Sequence, residues 1–360
     1  MVEMDKCIYC NSSSDLCRHA HAVPRALGTF ENQPSLKNHI CRQCDSEIGK
    51  CEEQLIKCGP EAFIRIALDI TGRSGSDSTS PFRRRHAGQE PLKFKTKYPD
   101  TNYDVLVELI PGTQNAQPLP QVVIVAPDGS CEQVLVTDEA VTSEELDRRI
   151  RATQLRGRLV LWPIASTEQE QDRIMNLLRQ SKYFGDEEVN ENIRACNESV
   201  EVVGTIVVDK RYFRAIAKIA FHYFLIYYDG FYGSEKAFEA IRRFIRYGDG
   251  EIEPFVRQQR GNLVSDLDKG YRPKYYGHFL IGNVSNKTIS VNVQLFIGRD
   301  IDPPYYSVFI GQNSRKVWMP PERFGHFYSY LEPNTRHNYH GIIQKLGANM
   351  YIVLPKQPYM

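Results

Sequence analysis

Cys7-Ile-Tyr-Cys10 and Cys41-Arg-Gln-Cys44, with His21-Ala-Val-Pro24 between them, decide how the first part of this chain folds. A Cys-x-x-Cys pair delivers two thiolates from one tight knuckle, and two such pairs complete the tetrahedral, sulfur-rich set that structural zinc prefers. Seven of the nine cysteines, at 7, 10, 17, 41, 44, 51 and 58, fall in the first 58 residues, leaving Cys131 and Cys196 isolated. Such concentration favours metal over disulfides and implies a reducing, cytoplasmic setting.

The expected zinc ligands are therefore Cys7, Cys10, Cys41 and Cys44. Downstream, Ile48, Cys51, Leu55 and Cys58 stand at i, i+3, i+7 and i+10, one face of a helix over 46–58, so Cys51 and Cys58 read as packed thiols. Gly59-Pro60 closes that helix, and Phe63, Ile66, Ala67 and Ile70 mark a second over 61–70. Cys17, close to the first knuckle, reads as structural or idle.

The pattern weakens at Gly72-Arg-Ser-Gly-Ser-Asp-Ser-Thr-Ser-Pro81, which has too little apolar surface to order itself. The expected organisation is a small metal unit over 1–72, a linker over 73–90 and a larger body over 91–360 with a sub-boundary near 190. Arg83, Arg84 and Arg85 form the densest cationic cluster, either a phosphate-binding arm or a solvated linker. With 45 Lys plus Arg against 44 Asp plus Glu, the chain is not built to coat nucleic acid indiscriminately, although a local basic surface is compatible with that balance. No apolar run reaches signal-peptide or transmembrane length, so no membrane partner is expected.

The body reads as mixed α/β. Short β-branched runs at 103–110, 121–125, 157–162 and 200–208 alternate with helical spacing at 143–153 and 166–183, and Pro127-Asp-Gly-Ser130 is a turn. Helices over 210–228 and 234–247 follow, then an antiparallel sheet from 279–281, 290–297 and 305–310. Lys218 and His222 stand four apart on the aromatic-rich helix, a spacing that reads as a core face before it reads as a site. His278, His326, His337 and His340 have no metal-ligand spacing. The segments 227–232 and 271–276 mix aromatic with basic residues, as base-stacking surfaces do, and read equally as core edges and loops.

Cys7-x-x-Cys10, Ala20-His21-Ala-Val-Pro24-Arg-Ala-Leu27-Gly28 and Cys41-x-x-Cys44-Asp45-Ser-Glu-Ile-Gly49, in this order, resemble the HNH endonuclease family. The likeness is to its cysteine-framed branch and covers about the first sixty residues. The resemblance implies an α+β multidomain chain: a zinc-stapled ββα-metal unit, treble-clef-like, attached to the larger α/β body. It implies phosphodiester hydrolysis, with DNA as the first substrate to consider. His21 would be the general base and Asp45 the ligand of a catalytic Mg2+ or Mn2+ ion. Arg25 would reach the scissile phosphate, and Asn38, preferred to Asn32, would orient the base. The branch's acidic residue before the base is Ala20 here, which removes an oxygen ligand; His19 is the nearest candidate replacement.

A compact nuclease unit beside an unrelated body is similar to bacterial restriction and anti-phage effectors, and by that analogy the body would target, oligomerise or regulate. The alternative is a zinc-binding module that contacts nucleic acid or protein without cutting, its body a sensor for a regulatory ligand or protein.

Overall fold

The computed structural model describes residues 6–30, 33–70, 80–83, 85, 88–98, 103–113, 115–181, 188–189, 203–204, 206–261, 263, 277–297, 303–315, 325–330 and 336–338. It is mixed α/β, with several sheets and six α-helices among these residues. The chain divides into two compact units: Met1–Arg65, Ile70–Ser78 and Val207–Met360 form the first, Ile66–Asp69 and Thr79–Ile206 the second. The amino-terminal segment thus shares a unit with the carboxy-terminal one, whereas chain order suggests a separate head and a continuous body. The physical reason is that a short cysteine-rich segment has little core of its own and buries its helix against a distant one.

In the amino-terminal segment, β1 (Ala20–His21) pairs antiparallel with β2 (Ser35–Leu36), setting His21 opposite Ser35 and Ala20 opposite Leu36. Helix α1 (Arg42–Cys58) is capped by Cys41, whose sulfur accepts the Cys44 N–H, and buries the expected stripe of Ile48, Cys51, Leu55 and Cys58. Helix α2 (Pro60–Ala67) follows with proline at its first position, where the missing N–H costs nothing.

The second unit carries two four-stranded sheets. In chain order the elements are β3 (Phe94–Lys97), β4 (Asp104–Leu109), β5 (Ala116–Pro118), β6 (Gln121–Val125), β7 (Cys131–Leu135), α3 (Ser143–Ala152), β8 (Val160–Ile164), α4 (Glu168–Gln180), β9 (Glu188–Val189) and β10 (Val203–Gly204), the last returning to the first sheet. Strand orders are β10-β3-β4-β5 and β7-β6-β8-β9, with only β8 and β9 parallel. Thr142 and Thr167 cap α3 and α4, their hydroxyls accepting the N–H groups of Glu145 and Glu170. Val122, Ile124, Leu146, Ile150, Leu161, Ile174 and Leu178 form the core between the second sheet and its helices.

Returning to the first unit, α5 (Lys210–Tyr227) starts at Asp209, whose carboxylate accepts the Arg211 N–H, and is buried almost all round. Phe221, Tyr223 and Phe224 are fully covered, each contributing about 1.5–3 kcal/mol. A 3-10 turn at Lys236–Phe238 leads into α6 (Glu239–Tyr247), which ends at Gly248 in the left-handed conformation, φ 79°. The α-helix thus begins five residues later than the periodicity from Ser234 suggests, because the 3-10 turn takes its first residues. Strands β11 (Val256–Gln259), β12 (Gly277–Val284), β13 (Thr288–Ile297), β14 (Tyr305–Gln312), β15 (Gly325–Ser329) and β16 (Arg336–Asn338) make one antiparallel sheet, ordered β11-β14-β13-β12-β15-β16. Helix α5 packs against α1 as well as against β13 and β14, so it is the element on which the amino-terminal segment rests.

Candidate metal centre and the His21 loop

The sulfurs of Cys7, Cys10, Cys41 and Cys44 all lie within 4.8 Å of one another. Zinc–thiolate bonds of about 2.3 Å place tetrahedral sulfurs about 3.8 Å apart, so this donor set suits a zinc ion with only a small contraction. Cys7, Cys41 and Cys44 are buried and Cys10 is exposed. The first knuckle is closed by Asn11 N–H to the Cys7 oxygen at 2.8 Å and attached to the second by Ile8 N–H to the His39 oxygen at 2.9 Å. Cys7 is pulled well below the usual thiol range, to about 4, first by its hydrogen bond with Cys44, while the same bond pushes Cys44 up. That opposition is what two sulfurs competing for one proton produce, and a divalent cation relieves it by replacing the proton. Cys17, Cys51 and Cys58 lie outside the cluster; burial raises the thiols of all three, as it does for packed cysteines.

His21 stands half-buried in β1, and its Nε2 accepts the Nε–H of Arg25 at 3.2 Å. With Nε2 accepting, the ring proton of the neutral imidazole belongs on Nδ1, which is buried. Burial first, then the charges of Arg25, Lys218 and His19, lower the imidazole to about 4; the Pro34 oxygen opposes them weakly. Ala20 points the other way, 5% exposed and paired with the buried Leu36. A position facing that interior disfavours an unpaired carboxylate, which gives a local reason for alanine there. His19 is exposed and its Nδ1 is shared with the Ser35 hydroxyl at 2.9 Å.

Asp45 lies exposed in the first turn of α1, where the helix dipole favours a carboxylate. Among the described residues, the cysteine quartet is the group of metal-ligating side chains found this close together; Asp45, His19 and His21 do not form a second one. Asn38 adopts φ 57° and donates its N–H to the Cys17 oxygen at 3.0 Å, so it makes the turn that leads into the second knuckle, a conformation asparagine tolerates. Gly28 explains the end of the loop: its φ is 135°, and a Cβ there would come within 2.8 Å of both Phe30 and Tyr330.

The loop is held from behind by residues far along the chain. Lys218, in the middle of α5, donates to the main-chain oxygens of His21 at 2.7 Å and Ala22 at 3.3 Å and pairs with Glu52 at 2.5 Å. One turn later, His222 shares a hydrogen bond with the Tyr9 hydroxyl at 2.9 Å. His278 and Tyr330 both meet the Leu27 oxygen, and Phe30 packs edge-on against His278 and Tyr328. Lys218 and His222 are thus buried, as the aromatic stripe suggests, but they serve as polar anchors of the loop. Their spacing of four was the available signal; their partners, some two hundred residues away, were not visible in it. His326 is also buried, against Tyr223 and Tyr227.

Arg83 spends its guanidinium on Glu108, by several hydrogen bonds including Nε to Oε2 at 2.9 Å, and on Glu170 at 3.3 Å. It lines an open cavity of about 810 Å3 in the second unit, together with Glu170, Arg173 and Asn176. Arg85 pairs with Glu90 at the surface, and Arg84 lies outside the described residues. Tyr228 is buried, whereas Tyr232 is exposed beneath the Arg315 guanidinium, 5.6 Å from the ring centre. Residues 271–276, Asn32, Cys196 and His340 lie outside the described residues; of the expected strand over 200–208, residues 203–204 form β10, whereas 206–208 are not strand. No described helix is long and apolar enough to cross a membrane.

Compared with family models, curated proteins and solved structures, the chain matches none.

Proposed function

We propose that the amino-terminal segment is a zinc-held endonuclease site that hydrolyses phosphodiester bonds, with DNA as its substrate. The observation that carries this reading is His21: a half-buried imidazole, held neutral at pH 7, whose Nε2 lone pair faces the Arg25 guanidinium, in the same amino-terminal segment as the thiolate cluster. A phosphate oxygen draws a guanidinium more strongly than an imidazole does, so substrate would take Arg25 and free Nε2 to accept a proton from the attacking water. Lys218 and Glu52 fix the strand that carries the base. A divalent cation at Asp45 would supply charge stabilisation to the phosphate when bound. By its architecture such a chain would act as a restriction or anti-phage effector.

A second reading, a zinc-held module that binds nucleic acid or protein without cutting, is favoured by Ala20, whose buried position offers no oxygen to a cation. Plasmid cleavage separates the two. The wild type, with zinc retained, should cut with Mg2+ or Mn2+ and not with EDTA, while His21→Ala and Asp45→Ala should lose cutting and keep zinc. Cutting that survives His21→Ala removes the base from the mechanism. Zinc bound stoichiometrically with no cutting of any DNA or RNA leaves the binding module.

A further inference from the structure

Helix α6 approaches the cysteine cluster with two arginines one turn apart on the same face. Arg242 donates its Nη1–H to the oxygen of Ile8, inside the first knuckle, at 2.6 Å. Arg246 donates its Nε–H to the sulfur of Cys44, in the second knuckle, at 3.2 Å. The approach is close by design of the neighbouring loop: a Cβ on Gly233 would stand 2.7 Å from Ile8 Cγ2. The helix is itself braced, since Arg214 of α5 donates to the oxygens of Ile245 at 3.0 Å and Arg246 at 2.8 Å. The guanidinium facing Cys44 is therefore carried on a fixed support.

Four thiolates around a divalent ion leave two negative charges uncompensated, in a pocket where three of the four sulfurs are buried. A guanidinium remains charged at any working pH, and an N–H aimed at a thiolate withdraws electron density from it. We infer that Arg246 is an outer-sphere partner of the tetracysteine metal centre, so that the carboxy-terminal helix α6 sets how tightly the amino-terminal knuckles hold their metal. Arg242 has a different part: it docks the knuckle's backbone without touching a ligand atom. This inference rests on the zinc reading and is independent of the nuclease reading.

The test uses the full chain loaded with zinc or, for spectroscopy, cobalt, in the wild type and the variants Arg246→Met, Arg246→Lys and Arg242→Met. Chelator competition measures affinity, and the sulfur-to-cobalt charge-transfer band reports electron density on the thiolates. Arg246→Met should weaken metal affinity by about 10- to 100-fold, as loss of an outer-shell partner does. It should also move the band to lower energy, because an unbonded thiolate gives up its electron more easily. Arg246→Lys keeps the charge and should fall between the two; should the methionine variant fail to fold, the lysine variant carries the test. Arg242→Met should leave the band in place. An unshifted band with wild-type affinity in both Arg246 variants overturns the inference. So does an equal shift in Arg242→Met, which would assign the effect to docking alone. A wild type that holds neither metal overturns this inference and the zinc reading together.

Discussion

The Lys218 ammonium donates to the main-chain oxygen of His21 at 2.7 Å, across 197 residues of sequence, and its own charge is met by Glu52 at 2.5 Å. A buried lysine is tolerable only where acceptors surround it, and here those acceptors are the loop that carries the candidate base and the helix α1 behind it.

Lys218→Met removes one partner of this pair and leaves Glu52 and two carbonyls facing an apolar side chain. The expected cost is about 3–5 kcal/mol in denaturant-induced unfolding. Adding Glu52→Gln should recover part of it. Equal stability of wild type and Lys218→Met would show that the contact does not hold the loop.

Glu61 is 4% exposed, accepts the Tyr212 hydroxyl at 2.8 Å, and has its other oxygen buried with no hydrogen-bond partner among the described residues. Burial raises its carboxyl from 4.5 to about 7, against the pull of Tyr212. Between those values the folded chain binds a proton that the unfolded chain has lost. Stability is therefore fully present below pH 4.5, falls as pH rises to about 7 and is level above, by about 3 kcal/mol in all. Denaturation midpoints of Glu61→Gln should lack this slope and should exceed the wild type's above pH 7.

Cys41 and Cys51 both lie buried in the amino-terminal segment, but only Cys41 belongs to the quartet. Cys41→Ala should lose the zinc and, with it, the cap of α1. Cys51→Ala should keep one zinc per chain by metal analysis and cost about 1 kcal/mol through lost packing. Zinc loss in Cys51→Ala would redraw the ligand set.

Arg83→Ala strips the counter-charge from Glu108, whose side chain is 6% exposed, and should destabilise the second unit by about 3 kcal/mol. Arg85→Ala, at an exposed pair, should change stability by no more than about 0.5 kcal/mol. If the cluster binds phosphate, salt-dependent DNA binding weakens with Arg85→Ala. Below its melting temperature, Arg83→Ala should bind as the wild type does, since its guanidinium is already spent.

Local pattern was a sound guide wherever the physics is local. The apolar spacing of 46–58 and 143–153, the β-branched run at 121–125 and the Asp-Gly turn after Pro127 all became the elements their periodicity implies. Proximity of the two knuckles was also legible, because four thiolates within one short segment have few other uses. The roles of Asn38 and Arg83 were not: a left-handed turn and a buried carboxylate partner leave no periodic trace around a single polar residue.

The sequence by itself carried the helices, the longer strands and the cysteine quartet, since hydrogen-bonding period, turn chemistry and ligand spacing act over a few residues; short strands such as β3, β11 and β15 leave no comparable pattern. Only the tertiary structure decided what those parts belong to. The amino-terminal segment joins the carboxy-terminal helices and sheet, while residues 79–206 form a unit of their own. Lys218 at His21 and Arg246 at Cys44 are single charged groups satisfied some two hundred residues away. Burial makes the Lys218 contact obligatory, and no local pattern could announce either one, because the partners meet only once the two ends of the chain come together.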